Sequence, residues 1–209
     1  NFIMKKATRW GGLSQHIEIP KDFIPEYPIV KAHAIPEPLK VRMITIGSAK
    51  NNLLKGVQLK LFETLKSFPI FSPCHNPTIS MNVCPKADHI LLSGDYSNAT
   101  DGLNFNASQH VLKRLLSIVR KSEPQIAELF EAEMGSHIIQ YPKWTGISDC
   151  VQTNGQLMGS LLSFPVLCLI NAFTLTKLIP NCSLFEREAL IHGDDVLAYA
   201  HIDRVPKWK

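Results

Sequence analysis

Short apolar runs alternate along the chain with longer stretches whose apolar residues recur at helical spacing. Val41, Met43, Ile44 and Ile46 form a run closed by Gly47, the pattern of a strand. Leu53, Leu54, Val57, Leu61 and Leu65 recur every three or four residues, which predicts a helix over 51–68 that Pro69 ends. Residues 89–93 are a second strand-like run, leading into Gly94-Asp95. Leu103, Ala107, Val111, Leu112, Leu115, Leu116 and Val119 predict a second helix, with Asp101 placed to cap its N-terminus. A third helix is expected over 125–134. The stretch 161–173 is apolar on nearly every side and belongs in a core. It falls short of the roughly 20 apolar residues that cross a bilayer. Residues 189–192 and 196–199 are strand-like runs about Gly193-Asp194, a type II′ hairpin signal. Prolines at 20, 25, 28, 36 and 38 exclude long helices before residue 47 and favour extended chain. Residues 69–88 and 135–154 are expected to be loop or irregular, and 156–160 a turn.

Composition narrows the class. Of 209 residues 45% are hydrophobic and 19% charged, enough apolar surface to bury a core and too little charge for disorder over most of the chain. The length suits one large domain or parts of two. The formal charge is +4, but residues 1–66 hold eleven Lys or Arg against five acidic residues, so the surplus is concentrated there. A solvated basic face and a phosphate-facing surface both fit that surplus, and charge alone does not choose. The five cysteines, Cys74, Cys84, Cys150, Cys168 and Cys182, are odd in number and widely spaced, which argues against a disulfide framework and for a reducing compartment. Cys74-His75 with Cys84 and His89 fits no standard zinc spacing. No charged-then-apolar leader follows Asn1, and no membrane segment or internal repeat is visible.

The chemistry rests on aspartates. Asp194 and Asp195 are adjacent carboxylates at a hairpin tip, which repel each other unless a cation sits between them. A polar turn is by itself the commoner reason for such a pair. Asp95 ends a short strand, where a carboxylate is held at a sheet edge; Asp101 follows across a polar turn. If the two strand ends lie side by side, Asp95, Asp194 and Asp195 make a three-carboxylate cluster. Mg²⁺ takes one or two carboxylates plus substrate phosphates, and two such ions roughly 4 Å apart support an in-line displacement at phosphorus. No Ser-His or Cys-His pair competes with this chemistry.

The ordered set of motifs resembles a known family. D-Y-S-N-A-T-D over 95–101, N-G-Q-L-M-G-S-L-L-S-F-P over 154–165 with Asn171, and H-G-D-D over 192–195 resemble palm motifs A, B and C of viral RNA-dependent RNA polymerases. The G-Q-L-M-G-S stretch is most similar to the ourmiavirus-like (botourmiavirus) group, relatives of narnaviruses and mitoviruses. E-P-L-K-V-R-M-I-T over 37–45 resembles their motif F. The resemblance implies an α+β fold: a palm of antiparallel sheet with packed helices plus part of the fingers, truncated. Residues 1–88 would be partial fingers with motif F, and 89–209 the palm, with a fingers insertion about 122–150 and no thumb. It implies that Asp95 and Asp194 ligate two Mg²⁺ ions, or Mn²⁺ in their place, with Asp195 in support. Asp101 and Asn171 would read the ribose hydroxyl. Gly155, Gly159 and Ser160 would form a flexible loop beside template and nucleotide, and Lys40 and Arg42 would neutralise the triphosphate.

The implied reaction is template-directed RNA synthesis from NTPs. The partners are an RNA template, the product strand and NTPs, in the cytoplasm of an infected host cell or, nearer mitoviruses, its mitochondria. A reverse transcriptase is the rival within the same architecture; it would want a bulky gate near Thr100-Asp101, where the residues are small or polar. A non-catalytic RNA-binding remnant of an integrated viral polymerase is the rival from another class, and retention of all three aspartates weighs against it.

Overall fold

The computed structural model describes residues 28–76, 78, 81, 86–180, 184–185 and 187–207. The N-terminal basic residues Lys5, Lys6, Arg9 and Lys21, with Pro20, Pro25, Cys84 and Cys182, lie outside the described residues. In chain order the elements are β1 (Ile29–Glu37), β2 (Lys40–Ile46), a 3-10 helix (Ala49–Leu54), α1 (Lys55–Lys66), a second 3-10 helix (Pro69–Cys74) and β3 (His89–Gly94). Next come the single turn α2 (Ala99–Gly102), α3 (Phe105–Ser122), α4 (Pro124–Glu133), β4 (Ile138–Gln140) and β5 (Cys150–Val151). α5 (Ser163–Leu178), β6 (Ala189–His192) and β7 (Asp195–His201) close the series. No helix of the described residues is long and apolar enough to cross a membrane. The chain divides into two compact units, one of residues 1–59 and 100–163, the other of 60–99 and 164–209.

The first unit is built on a four-stranded sheet in the order β2-β1-β4-β5. β1 and β2 are antiparallel, with Glu37 opposite Lys40 across a two-residue turn. Pro38 fixes the first turn position and Leu39 takes φ 71°, the type II arrangement, with Leu39 fully exposed at the tip. Along β1, Val30 and Ala32 are buried while Ile29, Lys31 and His33 are exposed, the alternation a one-faced strand requires. α3 buries Leu112, Leu116 and Val119, spaced four and three residues apart, and packs on α4, which buries Ala127, Leu129 and Phe130.

Three expectations are corrected here. The N-cap of α3 is Asn104, whose side chain accepts the amides of Asn106 and Ala107; Asp101 lies inside α2, and the chain breaks between the two helices. Residues 135–154 are not wholly irregular: β4 pairs in parallel with β1 and antiparallel with β5. These strands are three and two residues long, and β4 is anchored on β1 more than a hundred residues earlier, so local periodicity carries no trace of them. The helix over 51–68 begins as 3-10 turns, with Ser48 accepting the Lys50 amide, and becomes α-helical only at Lys55.

The second unit is a three-stranded antiparallel sheet in the order β3-β7-β6, with α5 supplying the largest share of its core of any single element. Cys168, Ala172, Leu175 and Leu178 of α5 pack with Ala189 and Ile191 of β6 and with Val196, Ala198 and Ala200 of β7. Residues 69–74, expected to be loop, form 3-10 turns whose Ile70 and Phe71 are buried in the same core. The apolar content of α5 on all sides fits this burial, although Phe173 points outward.

Leu175 has no solvent contact to lose, so its truncation leaves a cavity. Leu175→Ala should lower stability by about 2–5 kcal/mol, whereas truncating the exposed Leu91 should change it by less than about 0.5 kcal/mol. Urea unfolding of the two variants beside the parent chain measures both.

Candidate functional site: an acidic sheet end held by one helix face

Strand register brings the separated acids together. The last pair between β3 and β7 is Gly94 with Val196, so Asp95 leaves β3 one step further on, beside Asp195. His192 pairs with Asp195 across the β6–β7 hairpin, which makes Gly193-Asp194 its two-residue turn. Gly193 has φ 65° and Asp194 has no positive φ, the II′ signature the sequence predicts. Asp95, Asp194 and Asp195 therefore share one end of one sheet, Asp95 and Asp195 exposed and Asp194 half-buried. Among the described residues no ion pair engages any of the three. Nor, among the described residues, do three or more His, Cys, Asp or Glu side chains close into a metal-sized group. The backbone half of the expected cluster is present, and its carboxylates stand apart.

The turn is held from below by α5. Gly193 rests on the Phe164 ring; a β-carbon on Gly193 would meet Phe164 Cε2 at 3.0 Å. The Gly193 amide donates to Cys168 Sγ at 3.3 Å. Asn171 donates through Nδ2 to the carbonyls of Gly193 (2.9 Å) and Asp194 (3.1 Å), and its Oδ1 accepts from the Tyr96 hydroxyl at 3.4 Å. Phe164, Cys168 and Asn171 are four and three residues apart, one face of a helix. Phe164 in turn stacks on Phe62 and meets the His192 ring edge-on. Asn171, expected to read a ribose, is thus 2% exposed and spends its amide hydrogens on the hairpin. Sequence reasoning passed over Phe164, Cys168 and Tyr96; the helical spacing of the first two with Asn171 was the signal available.

The remaining expected residues belong to the other unit. Gly155 (φ 71°) lies against the Thr100 and Asp101 carbonyls, where a β-carbon would come within 2.6 and 2.7 Å. The Gln156 amide donates to Thr100 O at 2.7 Å, so the 155–160 loop begins locked to the Asp101 turn. Asp101 itself is exposed. Ser160 receives the Leu162 amide on its hydroxyl at 3.3 Å, the helix-start role its position suggests. Behind the loop, His137 Nε2, Gln152 Oε1 and Gln156 Oε1 are buried with no hydrogen-bond partner among the described residues. All three residues line a cavity of about 10 Å³, the size at which a single water fits.

Lys40 and Arg42 sit on one face of β2, both turned to Glu37. Arg42 Nε reaches Glu37 Oε1 at 2.7 Å, and Lys40 Nζ is 3.7 Å from Oε2. The Arg42 guanidinium, with Lys40 adding its charge, holds the Glu37 carboxyl below the ordinary glutamate range.

No protein-family profile matches the chain. It is 31% identical over 197 residues to the RNA-dependent RNA polymerase of Ourmia melon virus, a match covering 82% of this chain and 23% of that protein. It is 27% identical over 130 residues to the RNA-directed RNA polymerase of Saccharomyces 23S RNA narnavirus, covering 57% and 14% respectively. The chain thus spans less than a quarter of the length of the curated relatives it matches. Among solved structures, the Sicinivirus 3Dpol RNA-dependent RNA polymerase superposes with a TM-score of 0.56 at 14% identity, over 88% of this chain and 43% of that one. The RNA-dependent RNA polymerase of a human picorbirnavirus gives 0.51 at 17% identity, over 87% and 39%. Telomerase from Candida tropicalis gives 0.51 at 14% identity, over 99% and 43%. At such identities the solved structures speak to fold alone. The fold is the palm-like α+β arrangement of viral RNA-dependent RNA polymerases, and the sequence is similar to the two groups that the motifs indicate.

Asn171→Asp puts a carboxylate against two carbonyl oxygens. Burial there raises the folded-state pKa of the new acid above its unfolded value of about 3.9. The penalty relative to the parent chain should therefore be small below that value and grow as pH rises through the folded pKa. Paired unfolding curves at pH 4 and pH 7 test this; an equal penalty at both would contradict the hydrogen-bond assignment.

Proposed function

We propose that this chain is the nucleotidyl-transfer portion of an ourmiavirus-like RNA-dependent RNA polymerase, replicating viral RNA in the cytoplasm or mitochondria of the infected cell. The observation that carries the reading is the juxtaposition of Asp95 with Asp194-Asp195 at one sheet end, in a chain similar to such polymerases over most of its length. In the reaction a 3′-hydroxyl of the growing strand attacks the α-phosphate of an NTP. A new P–O bond forms, the bond to the β-phosphate bridging oxygen breaks, and pyrophosphate leaves while the hydroxyl loses its proton.

The donor set fits a divalent pair. Three carboxylates that no ion pair engages among the described residues are hard oxygen ligands, and drawing them together at one sheet end would be a repulsion that cations relieve. Bound there, two Mg²⁺ ions, or Mn²⁺, would activate the hydroxyl and offset the charge that develops on the leaving oxygens. Asp95 and Asp194 would hold them and Asp195 would assist. Exposed side chains at Asp95 and Asp195 can turn toward an ion without moving the strands. Asn171, Cys168 and Phe164 keep the turn in place while charge moves through the site.

Lys40 and Arg42 would take the triphosphate, Arg42 exchanging Glu37 for a phosphate oxygen pair in the same forked geometry. Asp101 would accept from the ribose 2′-hydroxyl. The Thr100-Asp101 position carries no bulky side chain to exclude that hydroxyl, which favours ribonucleotides over deoxyribonucleotides.

The test is Mg²⁺-dependent primer extension on an RNA template by the full-length protein that contains this chain. Asp194→Asn should lower the rate by about 10²-fold or more, the scale of losing several kcal/mol of transition-state charge stabilisation. Extension that ignores the substitution would remove the assignment.

A further inference from the structure

The strand that carries Lys40 and Arg42 also grips the glycine loop. The Met158 carbonyl accepts twice from Thr45, from its amide at 2.7 Å and from its hydroxyl at 2.9 Å. A carbonyl has two lone pairs, so one residue satisfies this oxygen completely. The next residue, Gly159, has φ 122°, and a β-carbon on it would stand 2.0 Å from the Thr45 carbonyl oxygen. Bonding at 158 and backbone contact at 159 thus press loop and strand together. Alternation along β2 puts Thr45 on the face opposite Lys40 and Arg42. At its other end the loop is fastened to the Asp101 turn through Gly155 and Gln156.

We propose that Thr45 is a positioning residue that couples phosphate capture on β2 to the placement of the 155–160 loop. When Lys40 and Arg42 exchange Glu37 for a nucleotide triphosphate, any shift of β2 is carried to Met158 and Gly159 through the Thr45 hydroxyl and amide. The loop is fixed at both ends, so the shift changes its shape rather than its anchorage. This inference rests on the polymerase reading for its ligand, but not for the latch itself.

The experiment uses the full-length protein with Thr45→Val, which keeps the shape and the backbone bond and deletes the hydroxyl, and Thr45→Ser, which keeps the hydroxyl. Hydrogen exchange of the 157–162 amides should rise about three- to tenfold in Thr45→Val, the range set by one lost hydrogen bond, and return to the parent rate in Thr45→Ser. In primer extension Thr45→Val should raise KM for NTP by a similar factor with kcat little changed, and the rise should vanish in an Arg42→Ala background. Unchanged exchange, or effects of Thr45→Val and Arg42→Ala that simply multiply, would overturn the coupling. A parent protein without polymerase activity would instead sink the functional reading, and the exchange arm would still judge the latch.

Discussion

The two hydrogen bonds from Asn171 to the carbonyls of Gly193 and Asp194 are the constraint on which the acidic site depends. A type II′ turn carrying adjacent carboxylates is an unstable thing to build at a sheet end. Its charges repel, and its central peptides point away from the ladder. Here the glycine relieves the backbone, and one helix face supplies what the ladder cannot: a ring under Gly193, a sulfur acceptor for its amide, and a buried amide for its carbonyl and the next. The hairpin's small and branched residues, Ala198, Ala200 and Val196, let α5 pack close enough to do this.

From that constraint follows a division of labour within the second unit. β3 and β7 bring the acids to one sheet end by register, since the pairing of Gly94 with Val196 sets Asp95 one step further along, toward Asp195. α5 holds the turn without contributing a charge. Tyr96, one residue past Asp95, reaches the same Asn171, so the strand end and the hairpin are tied to a single buried side chain. In the first unit an analogous economy appears at Gly155 and Gly159, where absent β-carbons permit backbone to approach backbone.

Much of this was legible beforehand, for local reasons. The β6–β7 hairpin follows from Gly-Asp between apolar runs, α3 from its apolar periodicity, and the burial of α5 from a stretch apolar on nearly every side. The three candidate aspartates stand out in the sequence because three motifs in a fixed order narrow the chemistry more than any one residue does. What escaped was non-local or double in meaning. β4 exists by pairing with the distant β1, and the two-residue β5 by adding to β4. Asp101 was as good a cap as Asn104 by residue type, and only the break after Gly102 decides between them. Asn171 looked like a ligand-facing amide because its chemistry suits a hydroxyl as well as a carbonyl; burial settles which partners it has here.

The central claim is that the sheet end formed by Asp95, Asp194 and Asp195 is a divalent-cation site. Electron paramagnetic resonance of Mn²⁺ titrated into the protein tests it directly, without reference to turnover. The account predicts saturable binding that weakens at least about tenfold in Asp95→Asn and in Asp194→Asn, each removing one charged ligand. Mn²⁺ binding of the same strength in the parent chain and both variants would contradict it.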